Sequence, residues 1–149
     1  MRKSSKSVAA YIAGIVDGEG YVGISKDKTS KGLRGFRYRA RIQIEMTNLP
    51  ILRWIKLKTG FGRILPRPLR NVRWRPQHVY VISDHQLAPF IKTILPFLRI
   101  KKRQAKILYK FSMSMRHPGV KGHNKKTNDF QDSSYRKIRA LNRRGNHES

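Results

Sequence analysis

The sequence predicts an α+β domain. One antiparallel, saddle-like sheet of four strands is covered on one face by helices, in the order αββαββα with a short tail helix. Three observations carry this. Residues 36–46 (FRYRARIQIEM) alternate without a break. Even positions are apolar, from Phe36 to Met46, and odd positions are polar, so this is a strand with one buried face. Residues 8–16 (VAAYIAGIV) have no polar side beyond one tyrosine hydroxyl. A helix there must be covered all round. Two further strand candidates, Gly62–Arg67 and His78–Ser83, complete the sheet.

Taken in order, residues 1–7 read as a basic arm, 8–144 as one domain and 145–149 as a tail. Ser7 is placed to cap the first helix, and Gly18 and Gly20 to end it. Residues 21–26 form a weaker strand, with Val22 and Ile24 inward. Gly32 and Gly35 mark the connection to 36–46. Asn48 caps a second helix, with Pro50 in its first turn and Gly60 as its stop. A helix follows Asp84, and a basic one runs from about Ile100 to Met115. Residues 116–133 are rich in Gly, Lys and Asn and read as a loop. A last helix spans about Ser134 to Arg143.

Charge sets the function class. The 149 residues hold 34 Lys+Arg against 8 Asp+Glu, a net +26. This disfavours an ordinary metabolic enzyme and points to a polyanion partner. Zero cysteines exclude a disulfide scaffold, a thiol nucleophile and cysteine-based zinc sites. Five histidines without cysteines do not make a zinc site. No apolar run is long enough to cross a bilayer; the charge leaves DNA, RNA or an anionic membrane surface as the polyanion, and the expectation is nucleic acid with no membrane partner. Asp17 and Glu19 follow the apolar run where a signal peptide would carry small residues, so the expectation is an intracellular, non-secreted protein.

Two constellations carry chemistry. Asp17-Gly18-Glu19-Gly20 sets two of the rare carboxylates between glycines at the end of the apolar helix. A carboxylate with a nearby carbonyl is a hard-oxygen set suited to Mg²⁺; a plain helix-ending turn with two solvated acids has the same spacing. The second constellation is the odd face of 36–46: Arg37, Arg39, Arg41, Gln43 and Glu45. Like charges side by side are costly unless a polyanion meets them. A two-stranded ribbon fits the major groove of DNA, where Arg reads guanine, Gln adenine and Glu cytosine. Ser25 on the preceding strand shares this outward parity. Arg63, Arg67, Arg70, Arg73 and Arg75 are candidate base or phosphate contacts, and Lys102 and Arg103 suit phosphate at a helix start.

The segment Tyr11-Ile12-Ala13-Gly14-Ile15-Val16-Asp17-Gly18-Glu19-Gly20 resembles the signature of the LAGLIDADG homing endonucleases. Ile44-Glu45-Met46-Thr47-Asn48, Leu95 to Ala105 (LPFLRIKKRQA) and Ile138-Arg139-Ala140-Leu141-Asn142 resemble later parts of single-motif members. The resemblance covers nearly the whole chain. It implies that the motif helix lies at a two-fold interface through Ala10, Ala13, Gly14 and Asp17. It implies a homodimer that cleaves both strands of a long, pseudo-palindromic DNA site and leaves 5′ phosphates with short 3′ overhangs. Glu19, with the Gly18 carbonyl, would hold Mg²⁺ or another divalent cation. Lys101 would lie beside the active site, and Asn48 stands where relatives often carry a water-ordering glutamine. An organelle or a prokaryotic cytoplasm is the implied compartment. The single motif and the all-apolar helix agree on a dimer, since a symmetric partner supplies the missing cover. The competing readings are an RNA-binding intron maturase, a cleavage-inactive DNA-binding relative, and a ribosome-associated basic protein.

Overall fold

The computed structural model describes residues 5–30, 34–115 and 125–143. Helix α1 (Lys6–Glu19) opens the chain and passes directly into β1 (Gly20–Lys28). Its cap is Ser5, whose hydroxyl accepts from the Val8 amide, not Ser7, which is already helical. The helix also continues through Gly18 to Glu19, because a single glycine costs a helix only about 1 kcal/mol. β2 (Phe36–Met46) returns antiparallel to β1 over the full length that alternation marks. α2 (Leu49–Thr59) follows, with the Asn48 side chain accepting from the Ile51 amide. It ends at Gly60 in the left-handed conformation (φ 76°), which glycine adopts without a Cβ penalty.

β3 (Arg63–Pro66) and β4 (His78–Ser83) complete a sheet of order β1-β2-β4-β3, antiparallel at every pairing. A 3-10 turn at Asp84–Gln86 leads into α3 (Leu87–Ile94). Then come a second such turn at Leu95–Phe97, α4 (Lys102–Ser114) and α5 (Lys125–Leu141). The segment expected as a loop therefore divides. Residues 116–124 lie outside the described residues, and 125–133 are helical. Its Lys- and Asn-rich composition hides an inward stripe: Gln131, Ser134 and Ile138 are buried, and the first two of these read as polar in sequence.

The core lies between the sheet and the helices. Val22, Ile24, Tyr38, Ala40, Ile42, Ile44, Tyr80 and Ile82 point inward from the strands. They meet Ile12, Ala13 and Val16 of α1, Phe90, Ile91 and Ile94 of α3, and Leu108 and Phe111 of α4. Each fully buried Val, Leu, Ile or Phe side chain among them contributes about 1.5–3 kcal/mol. Two polar ties hold α5 onto the sheet. Asp132 Oδ1 accepts from the Tyr38 hydroxyl at 2.5 Å and from Arg34 Nη2 at 2.6 Å. Near the other end, Asn142 Nδ2 donates to the Val22 carbonyl of edge strand β1 at 2.9 Å. That contact covers part of an edge that would otherwise offer itself to another strand. Among the described residues no helix is long and apolar enough to cross a membrane.

Candidate active site and nucleic-acid interface

The end of α1 is built by two chain segments that grip each other. The Asp17 carboxylate accepts from the backbone amides of Arg99 (2.8 Å), Ile100 (3.2 Å) and Lys101 (2.9 Å), the turn that leads into α4. In return Lys101 Nζ donates to the carbonyls of Val16 (2.9 Å), Asp17 (2.9 Å) and Gly20 at the end of α1. Three donors thus meet the negative end of a helix, the favoured place for a cation. Burial pulls the Lys101 ammonium below its usual pKa, and the charges of Asp17 and then Glu19 push it back up.

Asp17, expected at the interface, is half-buried and spends both carboxylate oxygens within its own chain. Its side chain points back into its own chain, because the α4 entry needs an acceptor for three amides. Ala13 is also corrected: it is fully buried in the core of its own chain. The all-apolar helix is covered on one side only, by Ala9, Ile12, Ala13 and Val16. Ala10, Tyr11, Gly14 and Gly18 form the opposite, exposed face. A Cβ built on Gly14 or Gly18 would meet nothing within 4 Å. Tyr11 leans edge-on against Trp54 of α2, with ring centroids 5.5 Å apart.

Glu19 is the last residue of α1, exposed, with no ion pair among the described residues. A carboxylate at the negative end of a helix is poorly placed unless a cation joins it. Among the described residues no group of three or more His, Asp or Glu could hold a metal ion. What one chain offers among the described residues is a single exposed carboxylate at the end of α1, where the carbonyls of Val16, Asp17 and Gly20 are already taken by Lys101. That donor set fits Mg²⁺, which takes one or two carboxylates and fills its octahedron with water and phosphate oxygens. Asn48 is committed to capping α2.

On the sheet, Arg37, Arg39, Arg41, Gln43 and Glu45 all lie on the face away from the core. Ser25 joins them and donates to the Arg39 carbonyl at 3.4 Å. The expected mutual repulsion is partly relieved inside the chain. Arg39 Nε lies 3.5 Å from Asp27, and Arg67 Nη1 lies 2.6 Å from Glu45. Glu45 is thus held by an arginine rather than presented alone. Arg63, Arg70, Arg73 and Arg75 are exposed, the last three on the hairpin between β3 and β4. Lys102 is half-buried and Arg103 exposed in the first turn of α4.

Sequence reasoning missed the floor of this face. Val79 and Val81 of β4 and Leu65 of β3 line a groove of about 1050 Å³ together with Arg37, Arg41 and Arg63. The run His78–Ser83 is apolar on four successive positions, so alternation could not assign its faces. The pairing of Ile42 with Ile82 and Ile44 with Tyr80 does so, since paired residues share a face.

No protein-family model and no curated protein matches the sequence. Solved structures do match the fold. The homing endonuclease I-CvuI, in complex with its target in the presence of Ca, superposes with a TM-score of 0.74 at 19% identity, covering 97% of this chain and 87% of that one. The archaeal intron-encoded homing endonuclease I-Vdi141I, complexed with DNA, gives 0.75 at 19%, with 95% and 87% covered. The LAGLIDADG homing endonuclease I-SmaMI, bound to cleaved DNA, gives 0.63 at 18%, with 89% of this chain but 42% of that one covered. With one motif copy in 149 residues, the chain has the fold of the single-motif LAGLIDADG homing endonucleases.

Proposed function

We propose that the protein is a site-specific double-strand DNA endonuclease of the homing type, working as a homodimer. The observation that carries this is the tip of α1. A carboxylate that is exposed and without an ion pair among the described residues sits at the end of a helix whose outer face carries Ala10, Gly14 and Gly18 beside Tyr11, in a chain whose sheet has a face rich in arginine. Two such helices packed through Ala10, Gly14 and Gly18 would bring two Glu19 side chains together. The open space at Gly14 and Gly18 supports close helix approach. That I-SmaMI is more than twice as long, with 42% of it covered, agrees with two copies of this unit making one working enzyme.

Glu19 and the Gly18 carbonyl of each protomer would hold Mg²⁺ or another divalent cation. Such a metal lowers the pKa of bound water and neutralises charge on the leaving oxygen. Lys101 and Asp17 fix the helix tip so that both carboxylates stand at a set distance. The lysine also places a positive charge behind a site that must accept phosphates. The arginine face of the sheet would enter the major groove of each half-site. Arg41 and Gln43 would contact bases, and the exposed arginines of the hairpin, with Lys102 and Arg103, would contact base edges or phosphates.

Incubation with a plasmid library of candidate sites in Mg²⁺ tests the reading. Linear product with a unique cut position supports it; none from a site that the protein binds tightly in Ca²⁺ contradicts it. A second reading, an RNA-binding intron maturase, is favoured by the exposed Lys106, Lys110, Arg136, Lys137 and Arg139 on helices away from the sheet face. Intron-splicing assistance that survives Glu19→Gln would support it.

A further inference from the structure

The outward face of β1 and β2 holds a small assembly that the charge pattern does not foreshadow. Tyr21 and Gly23 lie two residues apart on β1, hence on one face. The Tyr21 ring is folded along the strand across Gly23. A Cβ on Gly23 would lie 2.3 Å from the Tyr21 hydroxyl oxygen and 2.4 Å from Cζ. Any side chain there would displace the ring. Gly23 is buried although it lies on the outward face, and the phenol is what covers it. Directly across from Gly23 on β2 is Arg41. Its guanidinium stands 5.8 Å from the Tyr21 ring centroid, within reach of a cation–π contact.

Arg41 differs from its neighbours in a second way. Arg39 and Arg67 have acidic partners. Arg41 Nε is buried and has no hydrogen-bond partner among the described residues. A buried donor without an acceptor is costly, so this guanidinium is not settled by contacts within its own chain as those of Arg39 and Arg67 are. The guanidinium of Arg41 thus stands beside the phenol, and no acidic side chain among the described residues pairs with it.

We propose that Tyr21, laid across Gly23, is a positioning residue that holds Arg41 ready for a two-donor contact with guanine in the major groove. Arginine has high rotamer entropy, and a side chain restrained in advance loses less of it on contact. Guanine O6 and N7 are the acceptor pair that suits a guanidinium. This rests on the DNA reading above, and its test is built to separate the two.

Duplexes are first selected from a randomised library by the wild-type protein in Ca²⁺, and each base is then substituted at every position of the half-site. Arg41→Ala is expected to relax preference at one position by about 5- to 100-fold. Tyr21→Ala is expected to relax the same position about three- to tenfold, and to add nothing in the Arg41→Ala background. Gly23→Ala keeps the phenol but moves it, so it should copy Tyr21→Ala while folding normally. Tyr21→Phe should retain the preference. In the DNA-free protein, relaxation of the Arg41 Nε–H should show a restrained group that Tyr21→Ala and Gly23→Ala both loosen. A relaxed position other than that of Arg41, or an undiminished Tyr21→Ala effect without Arg41, overturns the proposal. Unchanged Nε–H relaxation in Tyr21→Ala also overturns it, even where selection succeeds. A wild-type protein that selects no sequence overturns the DNA reading itself, whatever the relaxation shows.

Discussion

Asp17 and Lys101 exchange caps: the carboxylate takes the amides that open α4, and the ammonium takes the carbonyls that close α1. The two residues are neighbours in space through one shared turn, and each satisfies backbone groups at the other's helix end. A helix terminus otherwise leaves up to four such groups without partners. The clasp therefore fixes the end of α1, where the catalytic candidate Glu19 stands.

Removing either half should weaken folding. Asp17→Ala is expected to cost about 1–2 kcal/mol in urea denaturation, in the range of a lost helix cap. Lys101→Met should cost a similar amount. The double variant should lose less than the sum, since each single variant already disrupts the shared turn. Strict additivity would show that the two caps act separately.

Gly14→Leu should separate folding from assembly. A side chain there meets nothing in its own chain, and leucine favours a helix over glycine by about 1 kcal/mol. The variant is expected to keep its helical circular dichroism and to sediment as one chain where the wild type sediments as two. A dimeric Gly14→Leu protein would place the interface elsewhere.

The tie between α5 and β2 should titrate at both ends of the pH scale. The Tyr38 hydrogen bond and then Arg34 hold the Asp132 carboxyl below its ordinary value. Its contribution to stability is present above about pH 4 and is lost as pH falls through the folded-state value. Burial, then Asp132, pushes the Tyr38 hydroxyl up to about 12 from 10.0. That contribution is present below pH 10 and is lost as pH rises from about 10 to 12. Tyr38→Phe should reduce the alkaline loss, to which Tyr80, also pushed up to about 12 by burial, still contributes, and weaken the acid one in denaturation midpoints taken across pH. A Tyr38→Phe profile identical to wild type would remove Tyr38 from this role.

Charge on the sheet face should govern binding strength. With about 6–10 phosphates neutralised, affinity should fall about 10³–10⁵-fold between 50 and 200 mM salt. Glu45→Gln frees Arg67 from its ion pair, so affinity should rise for all sequences alike and the salt slope should steepen by about one unit. Loss of preference at one base position instead would show that Glu45 reads a base.

How much of this was legible in the sequence depends on whether one chain segment sufficed. β2 could be read end to end because its alternation is local, and α2 because Asn48 and Gly60 sit at its own ends. Residues 125–133 could not, since the burial of Gln131 is decided by contacts distant in sequence. The site divides in the same way. The glycine-flanked carboxylates identify the tip of α1; their spacing does not separate Asp17 from Glu19, the resemblance gives the metal to Glu19, and only the folded turn at 99–101 shows what Asp17 holds. Nor can parity show that Ala13 faces inward, because a helix without a polar face has no sequence mark for its exposed side. The ion pairs of Arg39 and Arg67 likewise depend on strand register and a hairpin, and an arginine run alone announces only repulsion.

The central claim is that Glu19 serves chemistry and Asp17 serves structure. Single-turnover cleavage of a mapped site by Glu19→Gln, with binding to the same duplex measured in Ca²⁺, tests it most directly. Glutamine keeps the size but removes the charge, so cleavage should fall by several orders of magnitude. Folding should be unharmed, because no ion pair is lost, and DNA affinity should hold or rise as a negative charge leaves the neighbourhood of phosphates. Undiminished cleavage by Glu19→Gln, at wild-type affinity, would contradict the account.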